Sequence, residues 1–341
     1  MTAEIQAATA TAATVSGPIE ARLEAHRAEL TGYCYRMLGS AFEAEDAVQE
    51  TLVRAWRGFD QFEGRSTLRS WLYRIATNVC LNMLDSAQRR IRPMDLGPAS
   101  SGHTTDPGEP RPDQIWVGPI PDARILPEGA DPADVVAERE SIRLAFIAAL
   151  QHLPPRQRAV LILRDVLSWS AQEVADLLDA SVASVNSALQ RARATIAAAD
   201  TRAETYQPLD AEQRELLARY VRAFEAYDLD ALAALLHDDA TLSMPPLPLW
   251  LRGTADIRAW MAGTGRGCAG SRLVPTVANG LPAFGQYRRS ARGFGHEPWA
   301  LVVLEISAGR VAAITAFLDT ARLFPLFGLP PRLESPTGVQ P

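Results

Sequence analysis

The chain has 341 residues, a hydrophobic share of 47% and a formal net charge of −6, values that suit two or three packed domains, exclude a chain disordered throughout and argue weakly against an indiscriminate coat for nucleic acid. Three widely spaced cysteines, Cys34, Cys80 and Cys268, form no C-x-x-C pair and have no nearby His at ligand spacing, which argues against a structural zinc and favours a reducing cytosol. No apolar run approaches the roughly 18 residues of a membrane span, and the Ala/Thr-rich opening lacks a basic start and a sustained apolar core, so neither membrane insertion nor secretion is expected.

Residues 1–18 are low in complexity and are expected to be a disordered tail. An all-helical domain follows over 19–92. Leu23, Leu30, Tyr33, Tyr35 and Leu38 recur at roughly helical spacing and predict one helix from Ile19 to Leu38. In the next helix Val48, Leu52, Ala55 and Phe59 share a buried face, and the opposite face carries Asp46, Gln49, Glu50, Val53 and Arg54. A polar loop with one glycine, including Phe62, Arg65 and Ser66, leads into a third helix. There Leu68, Leu72, Ile75, Val79 and Met83 form the core stripe, while Trp71, Arg74, Asn78 and Asn82 make an aromatic, cationic and amide stripe suited to unstacked bases. Charge is divided accordingly: Ile19 to Val53 holds three Arg against seven acids, and Arg54 to Arg92 holds eight Arg against three. The acidic half suits a basic protein partner and the basic half suits DNA phosphates. Lysine is absent, so every such cation is an Arg.

Residues 93–136 read as a Pro/Gly-rich linker, with nine Pro and five Gly between positions 91 and 137. Within it QIWVGPIPDARIL is a less polar island around Trp116, open to reading as a docking peptide or as an incidental patch in a tether. A second helical domain spans 137–200. Pro154 and Pro155 suit a helix start, Ser170 with Glu173 makes a capping-box pattern for a short helix to Leu178, and Ser181 can cap another. In that last helix Val182, Val185, Leu189, Ala192 and Ile196 face inward, leaving Ser184, Asn186, Ser187, Gln190, Arg191 and Arg193 outward. A short capped helix, a tight turn and an outer face of small polar, amide and Arg side chains predict a helix-turn-helix with its reader. Over 206–330, helices come first and strand-like runs after Arg272, predicting an α+β cone with an antiparallel sheet. Residues 331–341 are a tail.

DAVQETLVRAW followed by FDQFEGRSTLRSWLYRIATNVCLN closely resembles the second conserved region of bacterial RNA polymerase sigma factors of the extracytoplasmic-function group. LPPRQRAVLILRDVLSWSAQEVADLLDASVASVNSALQRARATI resembles their fourth region, and HDDATLSMPPLPLWLRG with AFLDTARLFPLFGLPP resembles the SnoaL-like domain of the sigma-G or sigma-J type. The resemblance implies a multidomain protein: two all-α sigma domains, the second with the helix-turn-helix, and a C-terminal α+β SnoaL-like cone. It implies core RNA polymerase and promoter DNA as partners in the cytoplasm, with no cofactor, metal or membrane. An anti-sigma factor or a small ligand of the C-terminal domain stays undetermined.

By the same resemblance Asp46, Gln49, Glu50 and Arg54 meet the polymerase clamp helices. Phe62, Arg65 and Ser66 belong to the loop that captures a flipped −10 base, and Trp71, Arg74 and Asn78 meet the non-template strand. The outward residues from Ser184 to Arg193 read the −35 element. Asn186 stands where many relatives carry Arg or Lys, which leaves the −35 sequence undetermined. Trp116 falls in a Trp/Pro motif of sigma factors with this extra domain and is expected to anchor the modules. SnoaL-like relatives include cyclases and isomerases, for which Asp238, Asp239, His296, Glu305 and Asp319 supply acids and bases and Trp250 and Tyr287 supply pocket walls. Their spacing matches no catalytic pattern, so regulation in cis is expected instead of catalysis. The alternatives are a ligand-responsive helix-turn-helix regulator and a cyclase or isomerase fused to a DNA-binding module. A regulator of that kind does not need the aromatic and amide helix that follows the acidic one, and a fused enzyme predicts turnover by the C-terminal domain alone.

Overall fold

In the computed structural model, which describes residues 18–64, 66–85, 89–126, 139–198, 210–291 and 293–334, the first domain consists of α1 (Ile19–Glu24), α2 (Arg27–Leu38), α3 (Ala41–Gly58) and α4 (Leu68–Asp85). The single helix expected from Ile19 to Leu38 is thus two. It breaks at Ala25 and His26 so that α1 lies against the C-terminal end of α3, where Trp56 Nε1 donates to Glu20 at 3.2 Å and the Arg22 guanidinium sits 5.3 Å from the Phe59 ring centre. α2 ends at Gly39 with φ +72°, a left-handed cap that costs glycine no Cβ clash. Ser40 then caps α3 by accepting from the Glu43 amide at 3.4 Å. The periodic stripes pack as expected: Val48, Leu52, Ala55, Leu72 and Val79 are buried, and Leu68, Ile75 and Met83 are partly buried at the edges of the same core.

The second domain holds α5 (Leu144–Leu150), α6 (Pro155–Leu161) running into a π turn at Ile162–Val166, α7 (Ala171–Leu178) and α8 (Val182–Ala198). The capping box at α7 is present in both directions, with Ser170 Oγ accepting from the Glu173 amide at 3.2 Å and the Glu173 carboxylate accepting from the Ser170 amide at 2.8 Å. Asp179, at φ +48°, turns the chain, and Ser181 Oγ accepts from the Ser184 amide at 3.1 Å to start α8. These two caps set the sharp angle of the helix-turn-helix.

The C-terminal domain comprises α9 (Ala211–Ala226), α10 (Leu229–Ala234), β1 (Leu236–Ser243), β2 (Trp250–Arg252), α11 (Thr254–Ala262), β3 (Arg272–Ala278), β4 (Leu281–Arg289), β5 (His296–Ser307), β6 (Arg310–Phe317) and α12 (Thr320–Leu326). The six strands lie in the order β2-β1-β6-β5-β4-β3. The sheet is mixed, not antiparallel throughout, because β6 returns beside β1 in the same direction after the chain has crossed through β2 and α11 to the far edge. Alternation along β5 sends Ala300, Val302 and Leu304 to a core under α9–α11, and Leu301 and Val303 to the other face.

That other face is buried in the same core as the two helical domains: Ala278, Leu281, Tyr287, Leu301 and Phe317 join Tyr35, Ile120, Ile142 and Leu153 in one cluster. Each large apolar side chain returned to water by pulling the layers apart costs about 1.5–3 kcal/mol, so docking is a substantial part of the fold. Residues 93–126 run between the layers as an extended strap. The Ser100 amide donates to Trp250 O, the Arg111 amide to Pro246 O and the Gly118 amide to Gly39 O, at 2.8, 2.9 and 2.9 Å.

Buried arginines stitch the helical domains and the strap. Arg158, 3% exposed, donates to the carbonyls of Met37, Gln151 and Leu153. Arg90 pairs with Glu43 and donates to Trp116 O at 2.7 Å. A planar fork with five donors can satisfy several carbonyls at once, which an ammonium group does less well. Burial nevertheless pushes the Arg158 guanidinium down to about 10.

At the centre of the seam is the β3–β4 turn, Asn279 and Gly280, with φ +57° and +70°. Asn279 is fully buried. Its Nδ2 donates to Tyr35 Oη and to Ile142 O, both at 2.6 Å, and its Oδ1 accepts from the Ile120 amide at 3.0 Å. One amide side chain thereby holds α2, the strap and the segment before α5 to the sheet.

Candidate nucleic-acid and polymerase surfaces

On α3, Asp46, Gln49, Glu50 and Arg54 are all exposed on one side. Arg54 Nε pairs with Glu50 at 2.6 Å, one turn apart, so a partner meeting this face meets a partly neutralised stripe with Asp46 as its free acid. The exposed Trp56 extends it towards α1. Sequence reasoning does not single out Trp56, although a large apolar side chain two turns beyond Gln49 on the same face is a usable signal.

The loop after α3 is propped by aromatic packing. Phe62 lies 4.9 Å from Trp71 between ring centres, and Phe59 lies 6.4 Å from the same indole. Ser66 is exposed, and Arg65 falls outside the described residues. Trp71 is half-buried under these rings, whereas Arg74 and Asn78, three and seven positions on, are exposed on the same side of α4. The sequence-predicted stripe is therefore assembled as one surface.

Arg74 is not idle, however. Its Nη2 donates to Asp176 O at 2.5 Å near the end of α7. Next to it, Trp169 is buried 5.1 Å from the Tyr73 ring, with the Arg69 guanidinium 5.5 Å from the indole. The first helix of the helix-turn-helix unit thus rests on the α4 surface beside the Trp71, Arg74 and Asn78 stripe.

On α8, Ser184, Asn186, Ser187, Gln190 and Arg191 are exposed over Val185, Leu189 and Ala192, which are buried. Arg193 differs: its guanidinium makes a two-pronged bridge to Asp165 at 2.7 and 2.9 Å, which raises its pKa. Arg191 is therefore the freer cation for a guanine edge or a phosphate. Arg191→Ala should lose about tenfold in affinity for a −35 duplex, the size of one good contact, and Arg193→Ala clearly less. Fluorescence anisotropy at two salt concentrations separates the two, and equal losses would contradict the difference in engagement.

The candidate acids and bases of the C-terminal domain are not brought together. Asp238 and Asp239 are exposed on β1, and Asp239 faces Arg252 at 3.3 Å. His296 shares a hydrogen bond with Gly270 O, Tyr287 Oη donates to Pro330 O at 2.7 Å, and Trp250 Nε1 donates to Gly97 O at 2.9 Å. Asp319 caps α12 by accepting from the Arg322 amide, and Glu305 lines a separate cavity of about 220 Å³ at the face of the sheet towards the strap. Under α9–α11 the cone is occupied by Tyr220, Phe224, Phe284 and Trp260, with Tyr220 stacked 5.9 Å from Phe224 and 6.3 Å from Phe284. Among the described residues no group of three or more His, Cys, Asp or Glu is placed to hold a metal, and no helix is long and apolar enough to cross a membrane. Trp116, on the strap, is 4% exposed and lines a cavity together with residues of α3 and the C-terminal domain.

Comparison with known proteins agrees with this three-part layout. Residues 23–90 match Sigma-70 region 2, residues 143–196 match Sigma-70 region 4, and residues 217–314 match the SnoaL-like domain. The chain is 46% identical over 330 residues to the ECF RNA polymerase sigma factor SigG of Mycobacterium tuberculosis, covering 93% of this chain and 85% of that one. It is 26% identical over 307 residues to SigJ of the same organism, covering 85% and 88%. The crystal structure of Mycobacterium tuberculosis SigJ superposes with a TM-score of 0.58 over 91% of this chain and 99% of that one, at 22% identity, which supports the shared fold. With two sigma regions on separate helical domains and a relative 46% identical over 93% of the chain, the chain belongs to the ECF RNA polymerase sigma factors.

Proposed function

We propose that this sigma factor acts in the cytoplasm, docks α3 on core RNA polymerase, and opens promoters through the loop before α4 and the Trp71, Arg74 and Asn78 stripe. In this proposal it reads the −35 element with the α8 face, and its C-terminal domain works in cis on the arrangement of the two readers without catalysis. The observation that carries the cis role is the Asn279 clamp, because one turn of the C-terminal domain is hydrogen-bonded to both sides of the helical assembly. The Arg74 contact with Asp176 adds that the −10 stripe is partly held by the −35 domain in the docked state. A ligand, polymerase or DNA that favours one arrangement would shift the population by its difference in affinity, and about 1.4 kcal/mol is tenfold. Dispersal of the candidate acids and bases disfavours an isomerase reading of the same domain.

The polymerase contact is tested on the surface of α3. Asp46→Ala with Glu50→Ala should weaken holoenzyme assembly, by about 2–5 kcal/mol where the charges are desolvated against a basic partner. Both side chains are exposed, so the folded domain should persist. Titration of labelled protein into core polymerase gives the answer, and unchanged affinity would remove α3 from the interface.

A further inference from the structure

A second cavity, of about 270 Å³, lies where α3, the strap and α12 meet. Its walls include Phe42 and Asp46 from α3, Asp113 and Trp116 from the strap, and Asp319 and Arg322 from the C-terminal domain. Three carboxylates thus face one guanidinium, since the remaining pair on the wall, Arg90 and Glu43, neutralise each other. Arg322 is shared thinly: it stands 3.8 Å from both Asp113 and Asp319, and its guanidinium carbon lies 3.9 Å from the centre of the Phe42 ring. Burial first, and then the Asp113 charge, hold the Asp319 carboxyl above its ordinary range in spite of Arg322. Trp116, 4% exposed, adds a buried aromatic side chain to the wall.

We infer that this seam cavity binds a small organic cation: a primary amine or guanidine on an apolar ring. The cationic group belongs over Phe42 between the carboxylates, where ring quadrupole and charge act together. The ring lies against Trp116, Phe317 and the proline wall. Arg322 is the protein's own cation on that site and competes for it. The ligand would touch the first helical domain, the strap and the C-terminal domain, including the turn of α3 that carries Asp46, whereas the interior of the cone is already filled by aromatic side chains.

Tyramine and 4-hydroxyphenylacetate share a phenol ring and differ in the sign of the charged end, so they make a matched pair of probes. In calorimetric titrations of the full chain, tyramine should bind saturably at one site, and the acid at least about tenfold more weakly. Asp113→Asn should weaken tyramine about fivefold, while Arg322→Gln, which removes the competing cation, should tighten it by a similar factor. A purely structural role for these residues would move both variants in the same direction. The proposal is overturned if tyramine binds neither the wild type nor Arg322→Gln, if the acid binds as well as the amine, or if both variants shift affinity alike.

Discussion

Replacing Asn279 by Ala should unlock the C-terminal domain from the helical domains at a cost of about 3–6 kcal/mol, from three lost buried hydrogen bonds and the strain of Ala in a left-handed conformation. The Ile120 amide and the Ile142 carbonyl would be left buried without their partner, whereas Tyr35 keeps its bond to Gly118 O at 2.8 Å. Asn279→Gly separates the two contributions, because glycine accepts φ +57° freely but still lacks the amide. Hydrogen exchange should accelerate at Ile120, Asn279 and Gly280 in both variants while α9 and β5 stay protected. If Asn279→Gly exchanges like the wild type, the side chain is not the clamp and docking rests on the apolar face alone.

Trp71→Ala should be nearly as damaging, but to promoter opening instead of stability. The indole supports Phe62 and Phe59 and, in the proposed role, would stack on an unstacked base; base stacking is worth about 1–3 kcal/mol and each aromatic pair about 0.5–1.5 kcal/mol. Open complexes should therefore fall by about ten- to a hundredfold at a given polymerase concentration, with closed-complex binding much less affected. Asn78→Ala, which removes only an exposed amide, should show the same pattern more weakly. Permanganate footprints indistinguishable from wild type for Trp71→Ala would take the α4 stripe out of strand separation.

Legibility in the sequence followed periodicity. Val48 with Leu52, Leu72 with Val79, and Val185 with Leu189 repeat at helical steps, and each pair proved buried. Ser170 with Glu173 announced a helix start because the two reciprocal hydrogen bonds are local in sequence. Strand β1 escaped notice because Asp238 and Asp239 fall where its register shifts, which breaks the alternation. The strap looked like a tether for a related reason: its amides pair with distant partners such as Gly39 and Pro246, and such pairing leaves no period.

Charged residues were the hardest to place. Arg36 is 1% exposed, with Ser141 Oγ accepting from its Nη2 at 2.6 Å, yet nothing in its neighbourhood of sequence distinguishes it from a surface arginine. Arg193 and Arg191 look equivalent on α8, and only the fold brings Asp165 to one of them. Arg74 likewise belongs to the stripe by spacing, but its contact with Asp176 depends on how the two helical domains pack.

The sigma assignment is tested most directly by transcription in vitro with purified core polymerase on a promoter pool randomised at the −35 and −10 elements. Adding the protein should yield transcripts from a subset of templates that share both elements and that core polymerase alone leaves silent. Asn279→Ala should change the yield from those templates without changing which are chosen. Formation of no holoenzyme, or transcripts that start without regard to either element, would contradict the account.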